Sequence, residues 1–391
     1  MQPAVALVVA VAIAFGLTYA DHAPLIPLIA PDLGLDDFRA GLLSTALFLA
    51  YLVTTVLTVG VVGRTAPKRA VSVGLAVSFV GTAIVALSPT YPLALLGKAV
   101  QGTGSALSFV AATRYIAALY GERRSHFALG LYGAGFPLGS ALALVVMPTL
   151  ATILGGWHGA FAGEAALIAA VAIAWRSAPE TSGIVGIGDI RDAIRCPNCW
   201  GTFLQHAAGF GLAIASGTWI TVYLLREFAL PLALSGVLGS LLLDVAVVAR
   251  SVGGWLVARE HVATKLVMRG GDLAILAGVA LLALPGRPLL VALAGAVLVG
   301  IGVGLPYASV FNTAAASLPA TPAAAQGLAA VGGTVGVMVG APLMGLAVQT
   351  YGFAAAWGFV GSVALLAFAV TFLMRGEEDL VATGALPRPP A

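Results

Sequence analysis

Charged side chains are scarce in this chain of 391 residues. Asp, Glu, Lys and Arg together make up 9 per cent of it, whereas apolar residues make up 60 per cent. A typical soluble domain carries about 25 per cent charged residues, so this chain has too few to cover a water-facing surface. The shortage excludes a soluble enzyme, a disordered chain and a nucleic-acid-binding domain, and it predicts an integral membrane protein.

Cysteines and catalytic motifs are also scarce. Both cysteines lie in Cys196-Pro-Asn-Cys199, whereas a structural zinc site needs four ligands. The five histidines and the isolated acids show no metal-ligand spacing, and the Gly-rich loop with Lys that binds ATP phosphates does not occur. We therefore expect no metal, no cofactor and no enzymatic activity.

Long apolar runs, in contrast, fill the chain. A helix needs about 20 apolar residues to cross the hydrocarbon core, and twelve such segments can be marked between Ala4 and Met374. The longest polar interruption, Arg176–Cys199, separates six spans from six. The prediction is an all-α integral membrane protein with twelve transmembrane helices in two pseudo-symmetric six-helix bundles. The bundles would occupy residues 1–176 and 199–375, with a cytoplasmic linker at 177–198 and a tail at 376–391.

The positions of the basic residues predict the orientation. Most of the nineteen Lys and Arg residues fall on segments that share a side with the N-terminus. Only Arg39, Arg226 and Arg287 fall on segments of the opposite side. Because cytoplasmic loops carry the excess of Lys and Arg, we expect both termini in the cytoplasm, and a location in the inner or plasma membrane.

The two halves of the chain resemble each other weakly. Gly102-x-Gly104 in the fourth span matches Gly302-x-Gly304 in the tenth, and Thr113 and Thr313 keep the same offset. Farther along, Gly156-Trp157 with Phe161 matches Gly352-Phe353 with Trp357 after a small slip in register. A duplicated six-span half is the pattern of transporters that work by alternating access.

Three motifs point to one family. The loop after the second span, Gly60-Val-Val-Gly-Arg64-Thr-Ala-Pro-Lys-Arg69, resembles the Gly-x-x-x-Asp-Arg-x-Gly-Arg-Arg loop of the major facilitator superfamily. Lys98-Ala-Val-Gln-Gly-Thr-Gly is similar to its Arg-x-x-Gln-Gly-x-Gly motif, and Arg250-Ser-Val-Gly-Gly is similar to a second-half motif. The resemblance implies the superfamily fold and a cytoplasmic latch that includes Arg64, Arg69 and Arg250.

Ionisable residues inside the membrane are candidates for function, because a charge at mid-bilayer costs at least about 2.5–3.5 kcal/mol. At about 1.5 Å per residue, Asp21 and Lys98 lie on the outer side of the middle of their spans, at similar depths. We predict an ion pair between them. Such a pair could carry protons, or it could brace the bundle permanently.

A short string adds a second resemblance. Tyr19-Ala-Asp21-His22 is similar to the Tyr-x-Asp-Arg string in the first span of the organic anion:cation symporters, with His in place of Arg. This resemblance implies that Asp21 is a protonation site, and that His22 or Lys98 contacts an anionic substrate.

Other polar and aromatic residues at membrane depth complete the candidate site. Gln101 and Ser105 share a helix face with Lys98, and we expect this stripe to face a cavity. Asp244 is either a second protonatable site or a structural acid. The further substrate-binding candidates are Trp219, Tyr307 and Asn312. We expect Glu164 and Asp272, near the ends of their spans, to be solvated.

The predicted function is proton-coupled secondary transport of a small solute, a small organic anion being the first choice. Proton-driven efflux of amphipathic or drug-like compounds is the alternative. A sensor or a lipid scramblase on a transporter fold would be a different class. The expected partners are a small-molecule substrate, protons and the lipid bilayer, with no nucleic acid, and we expect a monomer.

Overall fold

The computed structural model describes residues 3–62, 65–120, 125–181, 191–260 and 262–382, and within these ranges its regular structure is entirely helical. The helices of the first half are α1 (Pro3–Ala20), α2 (Ile26–Leu33), α3 (Asp37–Val62), α4 (Pro67–Ala86), α5 (Tyr91–Tyr120), α6 (Ser125–Ile153) and α7 (Trp157–Trp175). Those of the second half are α8 (Arg191–Arg195), α9 (Pro197–His206), α10 (Leu212–Phe228), α11 (Leu232–Ala258), α12 (Thr264–Ala283), α13 (Leu289–Gly304), α14 (Tyr307–Ser317), α15 (Pro322–Tyr351), α16 (Phe353–Val370) and α17 (Glu377–Ala382). The predicted all-α class is confirmed.

Eleven segments of the described chain are long and apolar enough to cross a membrane. The remaining long helix, α5, has 30 residues and contains Lys98 and Arg114. The predicted first span is interrupted after Ala20, and the tenth is divided at Pro306. The seventh is continuous, but it contains a π-helical turn at Ala207–Gly211. Proline explains the break at Pro306, because it has no backbone N–H to continue the helix. Membrane helices tolerate such breaks where neighbouring groups satisfy the backbone.

The chain packs as two compact units. Unit 1 comprises residues 1–186 and 217–240, and unit 2 comprises residues 187–216 and 241–391. Helix α10 therefore passes from one unit to the other. Its C-terminal part belongs to unit 1, where the Arg226 guanidinium donates two hydrogen bonds to Asp37, at 2.7 and 2.8 Å. The predicted sequence boundaries of the two bundles remain a prediction.

The two units use the same helix crossing, which corrects the register of the repeat. At Gly102 of α5, a Cβ atom would collide with the backbone of Leu47 in α3. At Gly300 of α13, it would collide with the backbone of Leu242 in α11. Gly102 and Gly300 are therefore equivalent, and the offset between these helices is 198 residues and not the 200 that Gly102 and Gly302 indicated.

A second glycine pair confirms this register. A Cβ at Gly104 would collide with α4 at Gly74, and a Cβ at Gly302 would collide with α12 at Gly271. Gly302 in the second unit is thus the equivalent of Gly104 in the first, again at an offset of 198 residues. Small residues let two helix backbones approach closely in a membrane, so the repeat preserves a packing contact.

We expect Gly102→Ala and Gly300→Ala to lower the free energy of unfolding by about 1–3 kcal/mol, because the added methyl group overpacks a backbone contact. Thermal unfolding in detergent measures this. The matched control is Gly130→Ala, since a Cβ at Gly130 meets nothing within 4 Å. All three gain helix propensity equally, so equal melting temperatures would contradict the packing role.

The predicted tail contains a short helix that docks on unit 2. Glu378 Oε2 accepts hydrogen bonds from the backbone N–H and the hydroxyl of Thr264, at 3.0 and 2.7 Å. It thereby caps α12, whose first residue is Thr264 and whose own N-cap residue supplies no side-chain hydrogen bond. Next to it, Lys265 Nζ lies 2.5 Å from Asp379 Oδ2.

The two acids beside Glu378 should respond oppositely to pH. The hydrogen bond from Lys265 lowers the pKa of Asp379, whereas burial raises the pKa of Glu377. The ionised Asp379 therefore stabilises the fold above its ordinary pKa, and this stabilisation is lost as the pH falls through the lowered value. The ionised Glu377 destabilises the fold at neutral pH.

At pH 7 we expect Asp379→Asn to lower the melting temperature and Glu377→Gln to raise it. Both differences from wild type should vanish at acidic pH, where the native carboxyls are protonated. Melting curves of the three proteins from neutral to acidic pH test the signs. Differences that persist unchanged at acidic pH would show that the effects are not electrostatic.

Candidate functional site

Asp21 lies where the first span is interrupted. Helix α1 ends at Ala20, and Asp21 and His22 form a turn before a short 3-10 helix at Ala23–Leu25. The His22 N–H donates to Asp21 Oδ1 at 2.5 Å, in place of continuing the helical ladder. The break therefore presents the Asp21 carboxylate and the Thr18 carbonyl to a neighbouring helix.

Lys98 of α5 binds this break. Its Nζ donates to Asp21 Oδ1 at 2.5 Å and to the Thr18 carbonyl at 2.9 Å. The Thr18 carbonyl is the acceptor that a continued helix would offer to the His22 N–H. Asp21 and Lys98 are both fully buried, so each charge is neutralised inside the protein. The predicted ion pair is confirmed.

The polar stripe of α5 surrounds the pair. Gln101 Nε2 donates to Asp21 Oδ2 at 3.0 Å and to the Thr82 hydroxyl of α4 at 2.8 Å. The Ser105 and Thr18 hydroxyls lie 3.0 Å apart. All of these side chains are buried. The stripe therefore contacts α1 and α4 inside unit 1, whereas we expected it to face a cavity.

His22 extends the polar cluster toward α10. Its Nδ1 lies 3.1 Å from Asp21 Oδ1, and its Nε2 lies 2.9 Å from the Ser44 hydroxyl. The Ser44 hydroxyl lies 3.5 Å from that of Thr218, within the part of α10 that belongs to unit 1. The next residue, Trp219, is fully buried. A chain of polar contacts thus leads from Asp21 to the seventh predicted span.

Four of the other predicted residues, Arg250, Tyr307, Asn312 and Asp244, lie in unit 2. The Arg250 guanidinium carbon is 4.4 Å from the centre of the Tyr307 ring, a cation–π contact. Asn312 is exposed on α14. Asp244 is exposed on α11 at an apolar pocket of about 440 Å³. Asp21, His22, Lys98, Gln101 and Ser105 are thus grouped in unit 1, and Arg250 and Tyr307 form a separate contact in unit 2.

The described part of the chain does not bring the predicted latch residues together at one site. Arg64 lies outside the described residues. Arg69 is exposed on the first turns of α4. The latch role of Arg64, Arg69 and Arg250 remains a prediction.

The prediction that Glu164 and Asp272 are solvated is wrong. Glu164 is fully buried and Asp272 is 1% exposed, whereas we expected both to be solvated. Asp272 Oδ2 accepts a hydrogen bond from Gln205 Nε2 at 3.0 Å. Glu164 lies within electrostatic range of Asp21 and Lys98. One signal was available: Glu164 follows the aromatic Phe161 by three residues and so shares its helix face.

The repeat shows that the fold does not require these polar residues. At the offset of 198 set by the glycine contacts, the stripe of α5 corresponds to apolar residues of α13. The equivalents of Lys98, Gln101 and Ser105 are Ala296, Val299 and Val303, all buried. The same helix crossing is therefore built once with an apolar interior and once with a buried charge, which indicates a function for the charge.

Comparison with known proteins identifies the family. Residues 6–325 match the Major Facilitator Superfamily. The chain belongs to this superfamily. It is thus a multi-pass transporter of a small-molecule substrate in a lipid bilayer, and not an enzyme. The expected twelve-helix fold class is confirmed.

The curated relative of this chain is distant in sequence. The chain is 25% identical over 264 residues to a Thermus thermophilus protein described as "Probable nitrate/nitrite antiporter NarK1". The match covers 59% of this chain and 58% of that relative's length.

Two solved structures share the fold. One is a bacterial homolog of the human lysosomal transporter Spinster, in an inward-facing and unoccupied conformation, with 16% identity, a TM-score of 0.75 and full coverage of both chains. The other is a variant of the nucleoside transporter NupG, with 12% identity and a TM-score of 0.77, covering 95% of this chain and 99% of that one.

Removing one partner of the buried pair should be costly. We expect Lys98→Met to lower the free energy of unfolding by about 3–5 kcal/mol, because it leaves the Asp21 carboxylate without its cation. Adding Asp21→Asn should restore most of this loss. Melting temperatures in detergent test both expectations.

The matched control is Lys265→Met, the same substitution in a partly exposed pair with Asp379, which should cost only about 0–1 kcal/mol. Equal effects of the two lysine substitutions would contradict the importance of burial. So would a double variant that is less stable than Lys98→Met.

Proposed function

We propose that this transporter is proton-coupled, that it moves a small organic anion, and that Asp21 is a protonation site. The observation that carries the proposal is the fully buried pair of Asp21 and Lys98. A carboxylate held by a buried lysine can exchange that partner for a proton. The lysine is then free to bind another anion.

The pair offers a simple coupling rule. While Asp21 is ionised, it neutralises Lys98, and an anionic substrate finds no available charge. When Asp21 is protonated, Lys98 is a buried cation, and binding an anion restores neutrality. Because a buried charge without a partner is costly, the proton and the anion bind together or not at all. Coupled binding of this kind produces symport.

The polar contacts beyond Asp21 can couple its protonation to a conformational change. Protonation weakens the contact between Asp21 and His22, and His22 is hydrogen-bonded to Ser44. Ser44 lies beside Thr218 of α10. We propose that this chain links the charge of Asp21 to the position of α10 during alternating access.

The remaining candidates have supporting roles in this proposal. Gln101, which donates to Asp21, and Ser105, which contacts the Thr18 hydroxyl, stay candidates for substrate binding. His22 contacts the anion together with Lys98. The further predicted substrate contacts are Trp219, Tyr307 and Asn312. Asp244 stays a candidate for a second proton site. The positive-inside pattern supports an inner or plasma membrane with both termini in the cytoplasm.

An aromatic cluster in unit 1 favours the alternative, efflux of an amphipathic compound. The Tyr19 ring, two residues before Asp21, lies 5.0 Å from the Phe48 ring and 5.9 Å from the Tyr51 ring. Phe109 joins the cluster at 6.3 Å from Tyr51, and both of these side chains are half-buried. Aromatic faces bind apolar and cationic compounds, and Asp21 would then carry the antiported proton.

Asp21→Asn tests the proton-coupling role. The amide keeps the shape of the side chain but cannot take up a proton. In proteoliposomes with a pH gradient, we expect substrate-linked proton flux to fall roughly tenfold or more, while exchange of substrate across the membrane continues. A variant with the proton flux and the uptake of wild type would contradict the proposal.

A thermal-shift panel separates the two substrate classes. Benzoate and lactate serve as organic anions, and tetraphenylphosphonium serves as an amphipathic cation. We expect an anion to raise the melting temperature of wild type, and this shift to disappear in Lys98→Ala. Stabilisation by the cation alone, with Lys98→Ala responding like wild type, would favour the efflux alternative.

A further inference from the structure

Glu164 of α7 is a buried ionisable group of unit 1 that the proposed function does not use. Its side chain is fully buried. Neither carboxyl oxygen has a hydrogen-bond partner among the described residues. Helix α7 packs against α1, and among the described residues Glu164 interacts electrostatically with Asp21, from the turn after α1, and with Lys98, from α5. A second carboxyl therefore lies beside the ion pair.

Charge balance indicates the protonation state of this carboxyl. Lys98 carries one positive charge, and the ionised Asp21 already neutralises it. A second ionised carboxyl would give the buried cluster a net negative charge with no hydrogen bonds to stabilise it. Two carboxyls that share one site do not both ionise readily. The cluster is neutral when the two carboxyls together hold one proton.

The repeat shows that this position needs no acid for packing. Gly156 precedes α7 and Gly352 precedes α16, and both glycines have positive φ angles, of 111° and 83°. The equivalent of Glu164, eight residues after its glycine, is Val360, which is also fully buried. The fold therefore accepts a medium-sized apolar side chain here, and the carboxyl is an addition.

We infer that Asp21 and Glu164 form a two-carboxyl proton site that shares one proton beside Lys98 at rest. In the resting state Asp21 is paired with Lys98 and Glu164 holds the proton. A transfer of this proton from Glu164 to Asp21 leaves the total charge unchanged, and Glu164 then becomes the anion that neutralises Lys98. His22, the other titratable group in contact with Asp21, faces it from the same turn.

The inference deepens the proposed function, on which its transport consequence rests. A second proton protonates both carboxyls and releases Lys98 for the anionic substrate. Either carboxyl can therefore serve as the acceptor when the other is removed. The coupled protons belong to the pair and not to one residue.

Infrared spectroscopy tests the protonation state without any substrate. At neutral pH, the spectrum of wild type minus that of Glu164→Gln should contain the C=O absorption of a buried protonated carboxyl, because Asp272, the buried carboxyl of unit 2, is present in both proteins and cancels. Asp21→Asn should remove it too, because Glu164 then ionises to neutralise Lys98. A merely structural Glu164 would not respond to a change at Asp21.

The control for this experiment is Glu180→Gln. Glu180 is an exposed carboxyl paired with Lys68 in the same unit, and its substitution should leave the absorption unchanged. Glu164→Val, which copies the second unit, guards against misfolding of Glu164→Gln. Absorption at wild-type strength in both Glu164 variants, or in Asp21→Asn, would overturn the inference.

Transport gives a second readout, with the organic anion that stabilises wild type most in the thermal-shift panel. Asp21→Asn should retain a small proton-linked uptake that still depends on pH. Asp21→Asn with Glu164→Gln should lower it roughly tenfold further and remove the pH dependence. Asp21→Asn with Glu180→Gln should behave like Asp21→Asn alone.

The two proposals fail in different ways. If wild type shows no substrate-linked proton flux, the proposed function is wrong, and the infrared absorption still decides the state of Glu164. If wild type is proton-coupled but the Asp21→Asn protein and its double variant with Glu164→Gln have the same pH profile, the two-carboxyl site is wrong.

Discussion

The burial of one lysine charge is the constraint on which the polar interior of unit 1 depends. A cation taken out of water must be neutralised, and its remaining donors must be hydrogen-bonded. Asp21 supplies the negative charge, and the Thr18 carbonyl supplies a second acceptor. The Thr18 carbonyl is available because the first span is interrupted after Ala20. The interruption of the first span therefore supplies an acceptor that stabilises the buried lysine of α5.

The internal repeat separates architecture from function. Gly102 and Gly300 make the same backbone crossing in the two units. Around this common framework, one unit places Lys98 where the other places Ala296. Packing alone explains the glycines, since any side chain would separate the helices. It does not explain the charge, which costs free energy that the apolar version avoids. This asymmetry is the strongest structural reason to place the transport chemistry in unit 1.

Much of the fold and part of the site could be predicted from the sequence. Hydrophobic length located the spans, and helical rise placed Asp21 and Lys98 at a common depth, because both quantities depend on local geometry alone. The predicted solvation of Glu164 was wrong. Distance from a span end measures depth along the bilayer, but it does not show which side of the helix faces other helices. The predicted repeat offset of 200 residues was also wrong, because a chain rich in glycine permits several alignments of its two halves.

The sequence by itself determined that this protein is a twelve-span membrane protein with few charges at membrane depth, since charge scarcity and apolar length act residue by residue. Only the tertiary structure decided which of those charges meet. It buried Glu164 within electrostatic range of Asp21 and Lys98, and it placed Arg250 against Tyr307 in the other unit. The physical reason is that the free energy of a buried charge depends on its neighbours in space, and helices far apart in the chain provide those neighbours.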